Sequence, residues 1–453
     1  MSRAGQFSGF ADRILGGALH GGATEAEAFF AHGRELTVKV FDGEVESLTS
    51  AESQGVGVRV FTDSRMGFAY TSDLTVPGLK RVVEQALDAC RYNEPDEHNG
   101  LPDLATLDEM PELVAADFDA LDVEQRVAMA LELDRLTNAQ HPEVKRNAGA
   151  VYSDERGRVE LYNTRGLRSS YEATVAYAYA EAIAERGEEM QSGFSFTYGR
   201  SASALDLAAC AAEAADRGAR LLGASQVSGR TTSVLFEPWA SAELIGTLAS
   251  SISAEAVQKG RSLLAGRLGE TVASGTVTIV DDGRRSDGLA SRPWDGEGVS
   301  TQRTEIIDRG VLRSYLHNTY TARRDGSTRS TGNASRGSHK STPELAPSNL
   351  VLLPGEESAE ALMRRMGDGV LITDVHGLHT VNPVTGEFSL GINGFLVENG
   401  ERSAPIREMT VAGSILGVLQ AVEAVGSDLR FMVGGGFVGA PSLLVRDMPL
   451  SGA

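Results

Sequence analysis

No histidine in this sequence is followed by glutamate: His20, His32, His98, His141, His317, His339, His376 and His379 precede Gly, Gly, Asn, Pro, Asn, Lys, Gly and Thr. That absence excludes the helix-borne zinc-peptidase signature, in which two imidazoles take the metal and the glutamate between them activates water. Cysteine is also scarce. Cys90 and Cys210 each fall on the apolar side of an expected helix, where a small buried hydrophobe fits better than a disulfide and a reducing cytoplasm is the expected location. There is no apolar run of about 18 residues, so no membrane-spanning helix is expected, and the polar start Met1-Ser2-Arg3-Ala4-Gly5-Gln6 does not read as a signal peptide. Basic side chains are outnumbered 42 to 62, giving a net charge of -20 without any compensating basic block. This composition argues against a nucleic-acid backbone as partner. No Gly-x-Ser-x-Gly nucleophile elbow occurs, and neither cysteine has the setting of a thiol nucleophile.

What is present reads as two domains, because 453 residues exceed one compact core. We place an N-terminal α/β domain at 1–228 and a β-rich C-terminal domain at 229–453, an α+β fold class overall. Helical periodicity marks Phe10 to Leu19, Thr75 to Cys90, Val123 to Leu136 and Leu205 to Leu222. Short strands are expected at Glu35 to Val40, Gly43 to Leu48, Gly55 to Phe61, Ala148 to Ser153 and Val159 to Asn163. The alternating Tyr171, Ala173, Val175, Tyr177, Tyr179 reads as a longer strand whose tyrosines pack a sheet face or stack on a ligand. The stretch from Glu94 to Asp122 reads as a solvated acidic connection. Beyond the boundary, Pro238 suits a helix start, with Leu244, Leu248, Ile252 and Ala256 at helical spacing. Mostly strands follow. No internal sequence repeat is evident.

Four constellations carry possible chemistry. Gly434-Gly435-Gly436-Phe437-Val438-Gly439 has the spacing of a dinucleotide loop, but Pro441 and a strand-like Ser442 to Val445 follow where a helix should meet the pyrophosphate. The glycines then read as a close backbone approach or chain reversal. His376 and His379, between Asp374 and Glu387, have metal-ligand types at short spacing, although ordinary loop histidines explain them without a metal. Asp295-Gly296-Glu297-Gly298, and Arg323 with Ser330-Thr331-Gly332-Asn333, hold turns through side-chain to backbone bonds or contact a substrate.

The chain resembles the TldD/PmbA family. Gly55-Val56-Gly57-Val58-Arg59-Val60, Gly67 to Asp73 and Asn99 to Asp103 carry the likeness in the first domain. Asp295 to Val299, Gly310 to Leu312, Tyr320 to Arg323, Ser330 to Asn333, Gly377 to Thr380 and Val397 to Gly400 continue it in the second. The resemblance implies a heterodimeric zinc metalloprotease acting on unfolded or short peptides, including maturation of ribosomally made peptide antibiotics. It also implies that the TldD branch carries His-Glu-x-x-x-His on the helix after the domain boundary and a C-terminal cysteine. Here that helix reads Ala242 to Ser253 without imidazole or thiol, so the chain resembles the TldE (PmbA) branch. The expectation is a subunit with no catalytic or metal-ligating residue and no cofactor of its own, whose partner is a TldD-like subunit bearing the motif and the zinc. Asp295, Glu297, Arg323 and Asn333 are its candidate substrate-binding residues. Two further readings stay open: a homodimeric peptide-binding protein without catalysis, and an independent hydrolase using His376, His379 and Glu387.

Overall fold

The computed structural model describes residues 5–103, 110, 112–327, 329–433 and 437–452. Helix α1 (Ser8–His20), strands β1 (Glu25–Phe41), β2 (Glu44–Thr62) and β3 (Arg65–Thr71) and helix α2 (Val76–Tyr92) form one unit. Helix α3 (Val123–Ala139), strands β4 (Val144–Asn163), β5 (Arg168–Arg186) and β6 (Glu189–Gly199) and helix α4 (Leu207–Ala219) repeat that order. The strands make one sheet, β3-β2-β1-β4-β5-β6, antiparallel throughout. The structure therefore contains a duplication that no sequence repeat announces.

Local chemistry sets these elements. Thr75 accepts from Gly78 N at the start of α2, and Asp122 with Gln125 closes a capping box on α3, so orphan amides at both helix starts are satisfied. Asp42 and Gly43 both take positive φ in the β1–β2 turn, a conformation that favours this residue pair. On β5 the alanines at 176, 178, 180, 182 and 184 are fully buried. Their small side chains admit α4 close to the sheet. α1 and α2 cover Ala26, Ala28, Phe30, Val56, Val58 and Val60, whereas α3 and α4 cover Leu36, Val38, Val40, Ala150, Ala178, Ala180, Ala182 and Ala184. Both helix pairs lie on the same face. At the α1/α2 end, the other face carries Glu27, Phe29, Arg59 and Leu161 toward the C-terminal part.

The expected short strands are pieces of long ones: β1, β2 and β4 have 17, 19 and 20 residues, while the longer strand expected at 171–179 lies within the 19 residues of β5. The first part of β2, Glu44 to Gln54, shows no apolar alternation because both its faces are exposed, while backbone pairing to β1 continues. The acidic connection is not wholly solvated. Leu101 is fully buried, and Arg323 of the C-terminal part donates to the carbonyls of His98 and Leu101.

In the C-terminal part, β7 (Arg230–Phe236) joins strands Gly369–His376, Glu387–Glu398, Glu401–Ser414 and Leu443–Ser451. Strand Glu401–Ser414 also pairs with Leu443–Ser451 through Thr410 and Val411, which closes five strands into a ring. A second six-stranded sheet includes Ile279–Asp282, Asn349–Leu352, Arg430–Val433 and Phe437–Ala440. The main apolar core fills the space between the two sheets. Helix α5 (Pro238–Gly246) begins with its expected proline and packs on strands Arg430–Val433 and Phe437–Ala440. The expected continuous helix through Ala256 is instead interrupted after Gly246 and at Ser253. The architecture is α+β with a β-rich C-terminal part. Among the described residues no helix is long and apolar enough to cross a membrane. Both cysteines are buried and unpaired, on α2 and α4.

Candidate functional site

Helix α5 and its C-cap read Ala242-Glu243-Leu244-Ile245-Gly246-Thr247, a glutamate among side chains that include no imidazole or thiol. Ala242 is buried and offers no donor, and the Thr247 hydroxyl donates to Leu244 O at 2.6 Å. Among the described residues no three His, Cys, Asp or Glu side chains converge as a metal-holding group. The side chains at this stretch of α5 supply no imidazole or thiol for a zinc ion. Glu243 is half-buried; burial, then the Asp374 carboxylate, pushes its pKa up to about 7 against the pull of Arg217. It is suited to hold or release a proton near neutrality or to accept an amide hydrogen bond, but alone it does not polarise a carbonyl.

A clasp between the two parts of the chain fixes α5. Arg217 of α4 donates to Asp374 Oδ1 at 2.8 Å and to Thr373 O at 3.0 Å. Its guanidinium lies 4.8 Å from the Trp239 ring centroid, and Arg430 approaches the same ring at 5.5 Å. Arg430 also pairs with Glu213 of α4. Burial pushes the Asp374 carboxyl up, yet Arg217, the Thr373 hydroxyl and Arg220 together hold it below the usual carboxylate range. Trp239 meets Phe196 edge-on at 5.1 Å and Phe194 at 5.8 Å. Tyr177, Tyr179, Phe196 and Tyr198 share one face of the β5–β6 ladder with Phe194, and this aromatic row opens to solvent at Tyr177 and Phe194. Tyr171 instead packs edge-on against Trp294, 4.9 Å away.

A second junction is closed. Glu27 and Arg59 stand opposite each other on β1 and β2, and Arg59 grips Glu27 with two bonds of 3.0 and 2.9 Å. Glu297 takes Arg59 Nη1 at 3.2 Å, while Arg336 bonds to Glu27 and to Gly296 O. Two carboxylates and two guanidiniums thus alternate, all buried. Burial pushes the Glu27 carboxyl up, but Arg59 and Arg336 bring it below the ordinary range. Burial lowers Arg336 to about 10 despite Glu27.

Of the four candidate substrate residues, Glu297 belongs to this junction, Asp295 holds the turn that carries it, and Arg323 and Asn333 bond elsewhere. Asp295 accepts from Glu297 N, Val299 N and Ala334 N, and burial, then Glu297, raises its pKa. Glu297 also accepts from Thr319 N at 2.9 Å and lines a cavity of about 180 Å³ with Arg59, His98, Gly100 and Tyr320. Asn333 donates to Asp281 at 2.6 Å and accepts from the Thr331 hydroxyl. Arg323 pins the His98–Leu101 loop described above. Each side chain is therefore engaged within the chain, and Glu297 reaches a cavity wall. His376 is exposed and bonds to Asn393 at 3.1 Å; His379 and Glu387 are exposed as well. Gly434, Gly435 and Gly436 lie outside the described residues. Sequence reasoning missed Glu27, Arg59, Arg336, Arg217, Trp239 and Glu243 as site residues. Arg59 was detectable, since alternation sets it on the face opposite Val56, Val58 and Val60.

Family models for PmbA/TldA metallopeptidases match in three parts: domain 1 at 26–90, the central domain at 116–222 and the C-terminal domain at 228–452. A metalloprotease PmbA homolog of Haemophilus influenzae is 30% identical over 92% of this chain and 90% of its own length. Metalloprotease PmbA of Escherichia coli O157:H7 is 28% identical over the same shares, 92% and 90%. Among solved structures, a putative modulator of a DNA gyrase from Thermotoga maritima superposes with TM-score 0.90 at 31% identity, over 98% of this chain and 100% of that one. TldE from Thermococcus kodakarensis gives TM-score 0.90 at 24% identity, again over 98% and 100%.

Proposed function

The chain belongs to the PmbA/TldD metallopeptidase family, and from that premise we propose that it is the TldE-type, metal-free subunit of a heterodimeric zinc peptidase in the cytoplasm. The observation that carries this reading is α5. The stretch that would bear the catalytic motif, Ala242 to Ser253, holds no imidazole or thiol, so on this reading a TldD-like partner with His-Glu-x-x-x-His supplies the zinc and the activated water. This chain contributes recognition of unfolded or short peptides, including leader segments of ribosomally made products, through the open aromatic row beside α5. Asp295, Glu297, Arg323 and Asn333 support the peptide path from behind by holding the junction and the loops beside it, which shape its wall.

The test is to mix separately purified subunits. Cleavage of an unstructured peptide should emerge with complex formation, and should vanish with a chelator or when the partner's motif glutamate becomes glutamine. Elemental analysis of this chain alone should find no stoichiometric zinc. Cleavage by the partner alone at the same rate, or by this chain alone, would sink the assignment.

A further inference from the structure

The outer edge of β2 is bare over a long stretch. β3 pairs only with Val56 to Thr62, and among the described residues nothing bonds to the outer backbone edge of Ser47 to Gln54. Both faces of that stretch are exposed. Isolated edges of this kind invite an added strand, and proteins usually blunt them with lysine, proline or bulges. Here Glu44 to Gln54 contains no Pro, Lys or Arg, and the one bulge leaves Glu46 without a partner, before the flat run begins. The residues Ser47, Thr49, Ser50, Ala51 and Ser53 are small, so little side-chain bulk obstructs an incoming backbone.

The duplicated unit shows what such an edge takes. β5 is the counterpart of β2, and β6 pairs only with Ala176 to Arg186, leaving Arg168 to Val175 without a β6 partner. There a short piece of this same chain, Leu113 to Ala115, lies against one end of the edge: Thr174 N donates to Leu113 O at 3.0 Å, and Ala115 N donates to the Thr174 hydroxyl at 3.1 Å. Among the described residues, the first unit has the equivalent edge without an equivalent segment. Acidic groups dominate around it. Glu35, Glu44, Glu46 and Glu52 stand against Arg34, Lys39 and His32, of which Lys39 is paired with Glu46 at 2.7 Å and His32 bonds to Glu52 at 2.7 Å.

We propose that Ser47 to Gln54 of β2 binds an extended, basic peptide segment by strand addition, a subsite for the peptide that the proposed function has this subunit recognise. Backbone pairing would supply affinity largely independent of sequence, and the carboxylates would select cationic segments. The test uses amide hydrogen exchange on the full chain with a ten-residue peptide of alternating Thr and Lys. At saturation, amides within residues 47 to 54 should exchange at least about tenfold more slowly, in alternation along the strand. A Thr-Glu peptide, or the Thr-Lys peptide with alternate amides N-methylated, should give no protection.

The triple variant Glu44→Lys, Glu46→Lys, Glu52→Lys alters exposed side chains only, and should weaken binding of the Thr-Lys peptide at least about tenfold. Four results would overturn the proposal: no protection at residues 47 to 54, protection confined to β6, equal protection by the acidic peptide, or concentration-dependent protection without peptide, which would assign the edge to a second copy. The two readings fail separately. Cleavage that emerges on mixing with the partner while residues 47 to 54 stay unprotected removes this subsite alone. Protection without any partner-dependent cleavage removes the subunit assignment and keeps the edge.

Discussion

The two junctions between the N-terminal sheet and the C-terminal part use the same residue types in opposite surroundings. Around Glu27, Arg59, Glu297 and Arg336 the charges are sealed and balanced, two against two. Around Arg217, Trp239, Arg430 and Glu243 they are partly open and unbalanced locally, with Glu243 facing Asp374. Sealed charge gives geometric rigidity, because each buried group needs all its partners. Half-open charge leaves a proton-binding group beside a solvent-facing aromatic row. The first junction fixes the frame, and the second borders the open aromatic row that the proposed function assigns to peptide recognition.

The contrast is broken most severely at the sealed end. Glu27→Ala leaves Arg59 and Arg336 buried with one carboxylate fewer, and should lower stability by about 3–5 kcal/mol in urea unfolding. The pair Glu27→Met and Arg336→Met, which leaves Arg59 with Glu297, should cost less than Glu27→Ala alone. A larger loss in the double variant would mean that the network is not held by charge balance. At the open junction Arg217→Ala removes bonds to Asp374 and Thr373 O together with the stacking on Trp239, and should cost about 2 kcal/mol by the same measurement. A cost equal to that at Glu27 would erase the distinction between the two.

Glu243→Gln is the mildest change, and its sign depends on pH. The folded-state pKa of about 7 lies above the ordinary value of 4.5, so the folded chain holds this proton more tightly than the unfolded chain does. The associated stability is fully present below about pH 4.5 and lost as pH rises through about 7. The neutral amide introduced by Glu243→Gln would mimic the protonated form. Thermal unfolding should therefore show a gain of a few degrees at about pH 8 and almost none at about pH 4.5, and an equal gain at both would refute burial as the source of the shift.

The sequence revealed local order better than assembly. Four N-terminal helices were legible because caps and periodicity are short-range signals, as at Thr75 and Asp122. Strand lengths were not, because Glu44 to Gln54 is exposed on both faces and leaves no alternation for periodicity to detect. The family likeness and the lack of a metal motif on α5 were legible from residues alone. The junctions were not: Glu27 meets Arg336 across 309 positions and Arg217 meets Asp374 across 157, and pairing at that distance leaves no mark in spacing. Asp295 and Asn333 were singled out as polar residues near glycines, and the structure engages them with Ala334 N and Asp281.

The duplicated sheet also sets an order of events in time. Each hairpin within a unit joins neighbours in sequence, whereas every partner that β1 finds on β4 lies more than a hundred positions away. Local ladders close quickly and distant ones slowly, because the intervening loop must be ordered first. The two meanders are therefore expected to form independently, with their helices, before the β1–β4 ladder joins them. Synthesis from the N-terminus would complete the first before the second has left the ribosome, so an early chain carries a finished three-stranded half whose β1 edge awaits its mate.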